Sequence, residues 1–196
     1  MLIEQTTVAG AVLPVQEFKD HLRLGTGFAD DGVQDALLER LLRTAIGVIE
    51  ARVGKVLISK QFGWHLTCWR DLNEQALPVA PVSEIVSVTL VDRAGAPTVV
   101  PATRYGLEKD MHRPKLVADG LLLPDVPSGG SVDIVFQAGF GAAWSQVPVD
   151  LRQAVLLLAA QYHEQRTEAG VGILPFGVMA LIERWRTVRI LGGGVA

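Results

Sequence analysis

The sequence has one cysteine, Cys68, so no internal disulfide can close a loop, and a reducing compartment is the default expectation. It lacks any run of about 18 uncharged apolar residues. The opening MLIEQTTVAGAVLP has neither a positive start nor a long apolar stretch. Neither a membrane span nor a targeting segment is therefore expected. No charge of one sign dominates: 18 Lys and Arg stand against 21 Asp and Glu. That balance gives no overall electrostatic reason for tight binding to nucleic acid or to an anionic membrane. Internal repeats and low-complexity tracts are absent too. What is present is length. A chain of 196 residues makes one domain or two small ones, and can bury roughly 70% of its unfolded surface without staples.

Hydrophobic spacing divides the chain into three parts. PVQEFKDHLRL at 14–24 sets Val15, Phe18 and Leu22 at helical intervals, with Pro14 acceptable in the first turn, so a short amphipathic helix follows a loose start. GTGFADDG breaks that helix. Asp31, followed three residues later by Gln34, then has the form of a capping box opening a long helix that runs to about Val53. Its expected inner stripe is Val33, Leu37, Leu41, Ala45, Val48 and Ile49, with Glu39 and Arg43 as a favourable i,i+4 pair. Gly54 suits the left-handed position that ends a helix. From about Leu57 the period changes to two: Phe62, Trp64, Leu66 and Cys68 alternate with Gly63, His65, Thr67 and Trp69. EIVSVTLV, the turn DRAG and PTVV predict a hairpin over 84–100, and Asp119-Gly120 offers a second turn. SVDIVFQAGFG predicts a final strand with Ile134 and Phe136 on one face and Asp133, Val135 and Gln137 on the other. Prolines keep the strands short, and roughly five to seven are expected. The helical period returns at 151–166, and Val178, Leu181, Ile182, Trp185 and Val188 predict a last amphipathic helix. The expected fold is α+β: a helical bundle made from 14–56 and 147–188, a small antiparallel β module inserted at 57–142, and a flexible tail at 189–196.

No catalytic constellation survives inspection. Tyr162, His163 and Glu164 crowd the end of the apolar run VDLRQAVLLLAA, but consecutive helical residues point about 100° apart. A cooperating acid and base would need i,i+3 or i,i+4 spacing. Tyr162 instead continues the stripe of Leu151, Ala154, Val155 and Leu158, and the polar residues after it mark where burial ends. His21, His65, His112 and His163 lie in separate elements, without HExxH or paired CxxC, so no metal ligand set is read. His65 and Cys68, three apart on one strand, would face opposite ways. FADDG lacks the alternating ligands of a calcium loop. The GTG at 25–27 follows a helix where a dinucleotide fingerprint would follow a strand. Ser145 in WSQ has no nearby histidine in sequence to activate it. The tryptophans leave two readings open: core filling, or contacts with a partner through Trp64, Trp69, Trp144 and Trp185.

In order along the chain, QEFKDHLRL, DALLERLLRTAIGVIEARVGKVLI, ALPVAPVSEIVSVTLVDRAG, FQAGFG, VPVDLRQAVLLLAAQYHEQR and LPFGVMALIERWR resemble the head-tail connector family of long-tailed phages and gene transfer particles, the adaptor or head-completion proteins. The resemblance runs from Pro14 to Arg189. It implies a non-enzymatic structural adaptor without cofactor, whose helical core makes a ring of the portal's twelve-fold symmetry under a filled head. The ring would join the portal protein to a stopper or tail-completion protein while DNA passes through without specific binding. It also implies assembly in the host cytoplasm followed by residence at the head-tail junction. The C-terminal segment, reaching into the portal, would begin near Trp185 and include Arg186, Arg189, Ile190 and Leu191. A competing expectation is a small β-rich binding module, for carbohydrate or another ligand, in which Trp64 or Trp69 stacks on the ligand. An apolar β face buried on the helices would favour the adaptor.

Overall fold

The computed structural model describes residues 1–23, 34–164 and 174–186. Its class is α+β, with four α-helices and two antiparallel sheets among the described residues. Helices α1 (Val15–His21), α2 (Asp35–Val53), α3 (Val149–Glu164) and α4 (Phe176–Ile182) come from the two ends of the chain. They meet: α2 packs on α3, α3 on α4, and α1 touches both α2 and α3. Phe18, Leu38, Leu42, Ala45, Ile49, Leu151, Ala154, Val155, Leu158, Val178 and Ile182 form one buried cluster. Gly54 ends α2 in the left-handed region, at φ 67°, with its N–H donating to the Glu50 carbonyl, as its place in the sequence predicts.

The stripe on α2 differs from the expected one. Leu38, Leu42 and Ile46 are buried, whereas Leu37, Leu41 and Val48 are only half-buried. The apolar arc of this helix is wide, and contact with α3 selects its centre one position along from the predicted line. Val33 and Asp31 lie outside the described residues. Gln34 occupies the N-cap itself without a side-chain cap bond, where a capping box would put it one turn into the helix. Asp35 in the first turn instead takes Lys19 of α1 at 2.7 Å. The last helix is also shorter than expected. α4 stops at Ile182, a single 3-10 turn covers Glu183–Trp185, and Arg186 is extended at φ −68°, ψ 134°.

The β part has its own core. β1 (Leu2–Glu4), β2 (Lys60–Leu66), β4 (Val82–Val91), β5 (Pro97–Val99) and β8 (Ser131–Ala138) make a five-stranded sheet in the order β1-β2-β8-β4-β5. β3 (Glu74–Ala76), β6 (Tyr105–Glu108) and β7 (Lys115–Ala118) make a second sheet in the order β3-β7-β6. Alternation along β8 buries Val132, Ile134 and Phe136 on one face and leaves Asp133, Val135 and Gln137 half-exposed on the other, matching the period of two. Phe136 stacks on Phe62 with ring centroids 5.8 Å apart. That inner face packs with Leu77 and Leu116 of the small-sheet region and with Leu123. It is thus closed by β structure and not by the helices, whose cover would have favoured the adaptor reading. The β4–β5 hairpin forms as predicted, its turn held by Asp92, whose Oδ1 accepts the N–H groups of Ala94 and Ala96. Asp119-Gly120, by contrast, is a bend that joins no hairpin. The tight β6–β7 connection lies earlier, where Asp110 Oδ1 accepts the N–H groups of His112 and Arg113. Those two bonds hold the Asp110 carboxyl below its usual pKa range.

The expected loose start is a strand. β1 pairs antiparallel with β2, Ile3 opposite Gly63, and Arg43 of α2 donates to the Val8 carbonyl at 2.8 Å while pairing with Glu39 at 2.7 Å. A charged seam completes the join. Lys60 Nζ on β2 lies 3.0 Å from Glu50 of α2 and 3.1 Å from Glu4 of β1, and Glu50 Oε1 accepts the Leu57 N–H at 2.7 Å. Burial raises the Glu50 carboxyl, against the pull of Lys60 and the Leu57 N–H, and the like charge of Glu4 adds to the rise. Burial also opposes the charge on Lys60, but two carboxylates outweigh it and hold its pKa above the ordinary value.

Candidate functional site

The structure separates the suspected chemical groups. Tyr162 is half-buried against the helical cluster, as its stripe predicts, while Glu164 is exposed. His65 does find a carboxylate that spacing did not reveal: β2–β8 register puts it opposite Asp133, with Nδ1 and Oδ1 2.7 Å apart on the outer sheet face. Both side chains are about half exposed. Among the described residues no group of three or more His, Cys, Asp or Glu is placed to hold a metal ion, and no helix is long and apolar enough to cross a membrane. The GTG and FADDG segments lie outside the described residues.

Of the tryptophans, Trp144 is buried and Trp64, Trp69 and Trp185 are half-buried. β2 ends at Leu66, so Trp69 is not on the opposite face of one strand from Trp64; the chain bends and both indoles pack against the β core. Trp69 Nε1 donates to the Pro124 carbonyl at 2.7 Å. Half-buried in this way, the two indoles contribute to the β core and do not form a fully exposed stacking platform. Trp144, in the 3-10 turn before α3, is buried and donates from Nε1 to Glu17 of α1 at 2.8 Å.

Trp185 and Arg186 stand where the described chain leaves the helical core. The Trp185 indole meets Phe140 edge to face, with centroids 5.4 Å apart at 86°. Arg184 lies 4.8 Å above the indole and reaches Asp150 at the start of α3, 2.7 Å away. Arg186 Nη1 donates to both carboxylate oxygens of Glu183 at 3.0 Å. An aromatic pair of this kind contributes about 0.5–1.5 kcal/mol beyond its burial, and the exposed ion pairs about 0–1 kcal/mol each. Beneath them the turn after β8 is constrained. Gly139 has φ +137°, and a Cβ there would lie 2.5 Å from Ser59 Cα, so only glycine fits without displacement. The turn is stitched by Gly139 N–H to the Pro81 carbonyl at 2.9 Å and Ser59 N–H to the Gly141 carbonyl at 2.8 Å. Trp185 Nε1 is buried with no acceptor among the described residues. Arg189, Ile190 and Leu191 lie outside them. Phe140, Arg184 and Asp150 were missed in sequence because 45 residues separate Phe140 from Trp185 by their numbering, and periodicity carries no information across such a gap.

No protein-family model and no curated protein matches the chain. Solved structures do. The neck of an empty gene transfer agent particle, computed with C6 symmetry, contains a chain 58% identical, with a TM-score of 0.91 and 98% of each chain covered. The virion of a native gene transfer agent particle contains one at 58% identity, TM-score 0.88 and 98% of each chain. The neck of a native particle, computed with C12 symmetry, contains one at 53% identity, TM-score 0.86 and 98% of each chain. Identity of this degree over the whole α+β fold defines the class as a structural component of a particle neck. The chain belongs to the family of gene transfer agent neck proteins.

Proposed function

We propose that the chain is a head-tail adaptor: copies assemble as a ring beneath the portal protein of a phage-like head and join it to a stopper or tail-completion protein. The single observation that carries this reading is 58% identity across 98% of a chain from a gene transfer agent neck. Neck structures computed with C6 and C12 symmetry support a self-associating ring, of twelve subunits where it follows the portal. The ring leaves a channel, and a chain with 18 basic against 21 acidic residues does not grip the DNA passing through it. Assembly occurs in the host cytoplasm and the finished protein stays at the head-tail junction. The helical core provides the ring body. The C-terminal segment that starts at Trp185 and Arg186 and includes Arg189, Ile190 and Leu191 reaches into the portal, offering a cation for charge-assisted contacts and two apolar side chains for burial. Each contact is weak, but a ring repeats it, and avidity makes a modest segment decisive.

Truncation after Arg186 tests the attachment. It removes no described residue of the buried cluster, and the melting temperature should stay nearly unchanged while the fraction of heads that acquire tails falls about ten-fold or more. Normal docking of the truncated protein to portal-containing heads would falsify this reading and move the attachment surface to the helices.

A further inference from the structure

We propose that Trp185 is a positioning residue for the attachment segment: Phe140 of the β part and Arg184 clamp its indole, so that the chain passes position 186 in one set direction. The inference rests on the adaptor reading and divides the labour within the segment. Trp185 and Arg186 are held internally, and residues beyond them meet the partner.

Four observations converge on the clamp. Helix α4 does not run on through 186, although its apolar spacing would allow it; it tightens into a 3-10 turn at Glu183–Trp185 and then extends. The turn delivers the indole to Phe140 at 5.4 Å, edge to face. Arg184, over the ring at 4.8 Å, is itself tied to Asp150 at 2.7 Å, so the stack is fixed to the start of α3. Arg186 is occupied by Glu183, through both side-chain contacts at 3.0 Å and an N–H bond to the Glu183 carbonyl at 3.2 Å. Arg186 Nη1 is thus engaged within the turn, in an exposed pair worth about 0–1 kcal/mol.

Phe140 cannot easily yield. Gly139 sits against the Ser59 backbone, where any Cβ would clash, and the Phe140 N–H donates to the Leu57 carbonyl at 3.2 Å. Leu57 joins the helical cluster. The clamp therefore couples the end of the β8 strand, the junction after α2 and the start of α3 at one point. A segment launched from such a fixed root loses less orientational freedom on docking than one launched from a frayed helix end, and this preorganisation raises affinity without a new contact.

Full-length variants in assembling particles separate positioning from stability and from direct contact. Trp185→Ala should speed exchange of the Arg186 amide about ten-fold and cut tail acquisition by a similar factor. Trp185→Phe keeps an aromatic ring against Phe140 but lacks the Nε1–H, and should acquire tails within about two-fold of wild type. Leu38→Ala, a fully buried substitution near the start of α2, should lower the melting temperature at least as much as removal of the half-buried Trp185 side chain yet leave tail acquisition within about two-fold. If Trp185→Phe fails like Trp185→Ala, an aromatic ring against Phe140 is not what sets the segment, and the positioning role is wrong. If Leu38→Ala loses tails equally, attachment follows stability alone and the role is again wrong. The truncation after Arg186 distinguishes the two levels. Loss of tails on truncation but not in Trp185→Ala overturns only the clamp, whereas tails on truncated protein overturn the adaptor's attachment segment as well.

Discussion

The helical core and the β part reach closure by different routes. Each helix forms from local spacing, but the core they share unites residues as far apart as Phe18 and Ile182. The β part is nearly continuous in sequence, yet it needs β1 from the N-terminus to cover one edge of its large sheet and a second sheet to cover its inner face. The helices use wide apolar arcs, which tolerate a shift of one position. The strands use strict alternation, where a shift of one residue would turn Ile134 and Phe136 outward. Specificity in the helices thus comes from what they pack against, and in the β part from register. The seam of Glu4, Glu50 and Lys60, with Leu57 and Ile58 entering the helical cluster and Val56 the β cluster, ties the two regimes together.

The largest effect expected from breaking this contrast is at Phe136, fully buried and stacked on Phe62. Phe136→Ala should cost about 3–5 kcal/mol. Because the seam couples the cores, both far- and near-ultraviolet signals should shift in a single denaturant transition; two separated transitions would show that the cores unfold independently. Next comes the helical arc. Leu42→Ala should cost about 2–4 kcal/mol and Leu41→Ala about 1 kcal/mol or less, since only Leu42 is fully buried. Equal losses in urea would place the contact line between them. The smallest effect is at the seam. Glu50 has its pKa raised by burial above the ordinary 4.5. Between that value and its higher folded value, the native state holds a proton the unfolded chain has released, so stability falls as pH rises through this window. Glu50→Gln should flatten that slope in melts taken from acid to neutral pH, and an unchanged slope would remove Glu50 as its source.

Local pattern was enough for the four helices, the Gly54 stop, the β4–β5 hairpin, the two faces of β8 and the stripe leading to Tyr162. These depend on neighbours within one or two turns, and side-chain period and turn chemistry encode such neighbours directly. Spacing along the chain, by contrast, could not reach the His65–Asp133 pair, which only the β2–β8 register creates. The order of six helix and strand segments was enough to suggest a connector protein, and the neck structures agree at the level of the particle neck.

Tertiary structure decided the rest. It chose Leu38 and Leu42 over Leu37 and Leu41, because an apolar arc specifies a face without specifying the partner. It recruited residues 2–4 as a strand, because pairing supplied by β2 outweighs a segment's weak intrinsic signal. It folded Trp69 back to share a core with Trp64, and set a second sheet over the first. It brought Asp133 to His65, and Phe140 to Trp185. All of these are contacts between residues distant in sequence, whose cost is chain closure and whose gain is packing, and neither quantity is written in the period of any one segment.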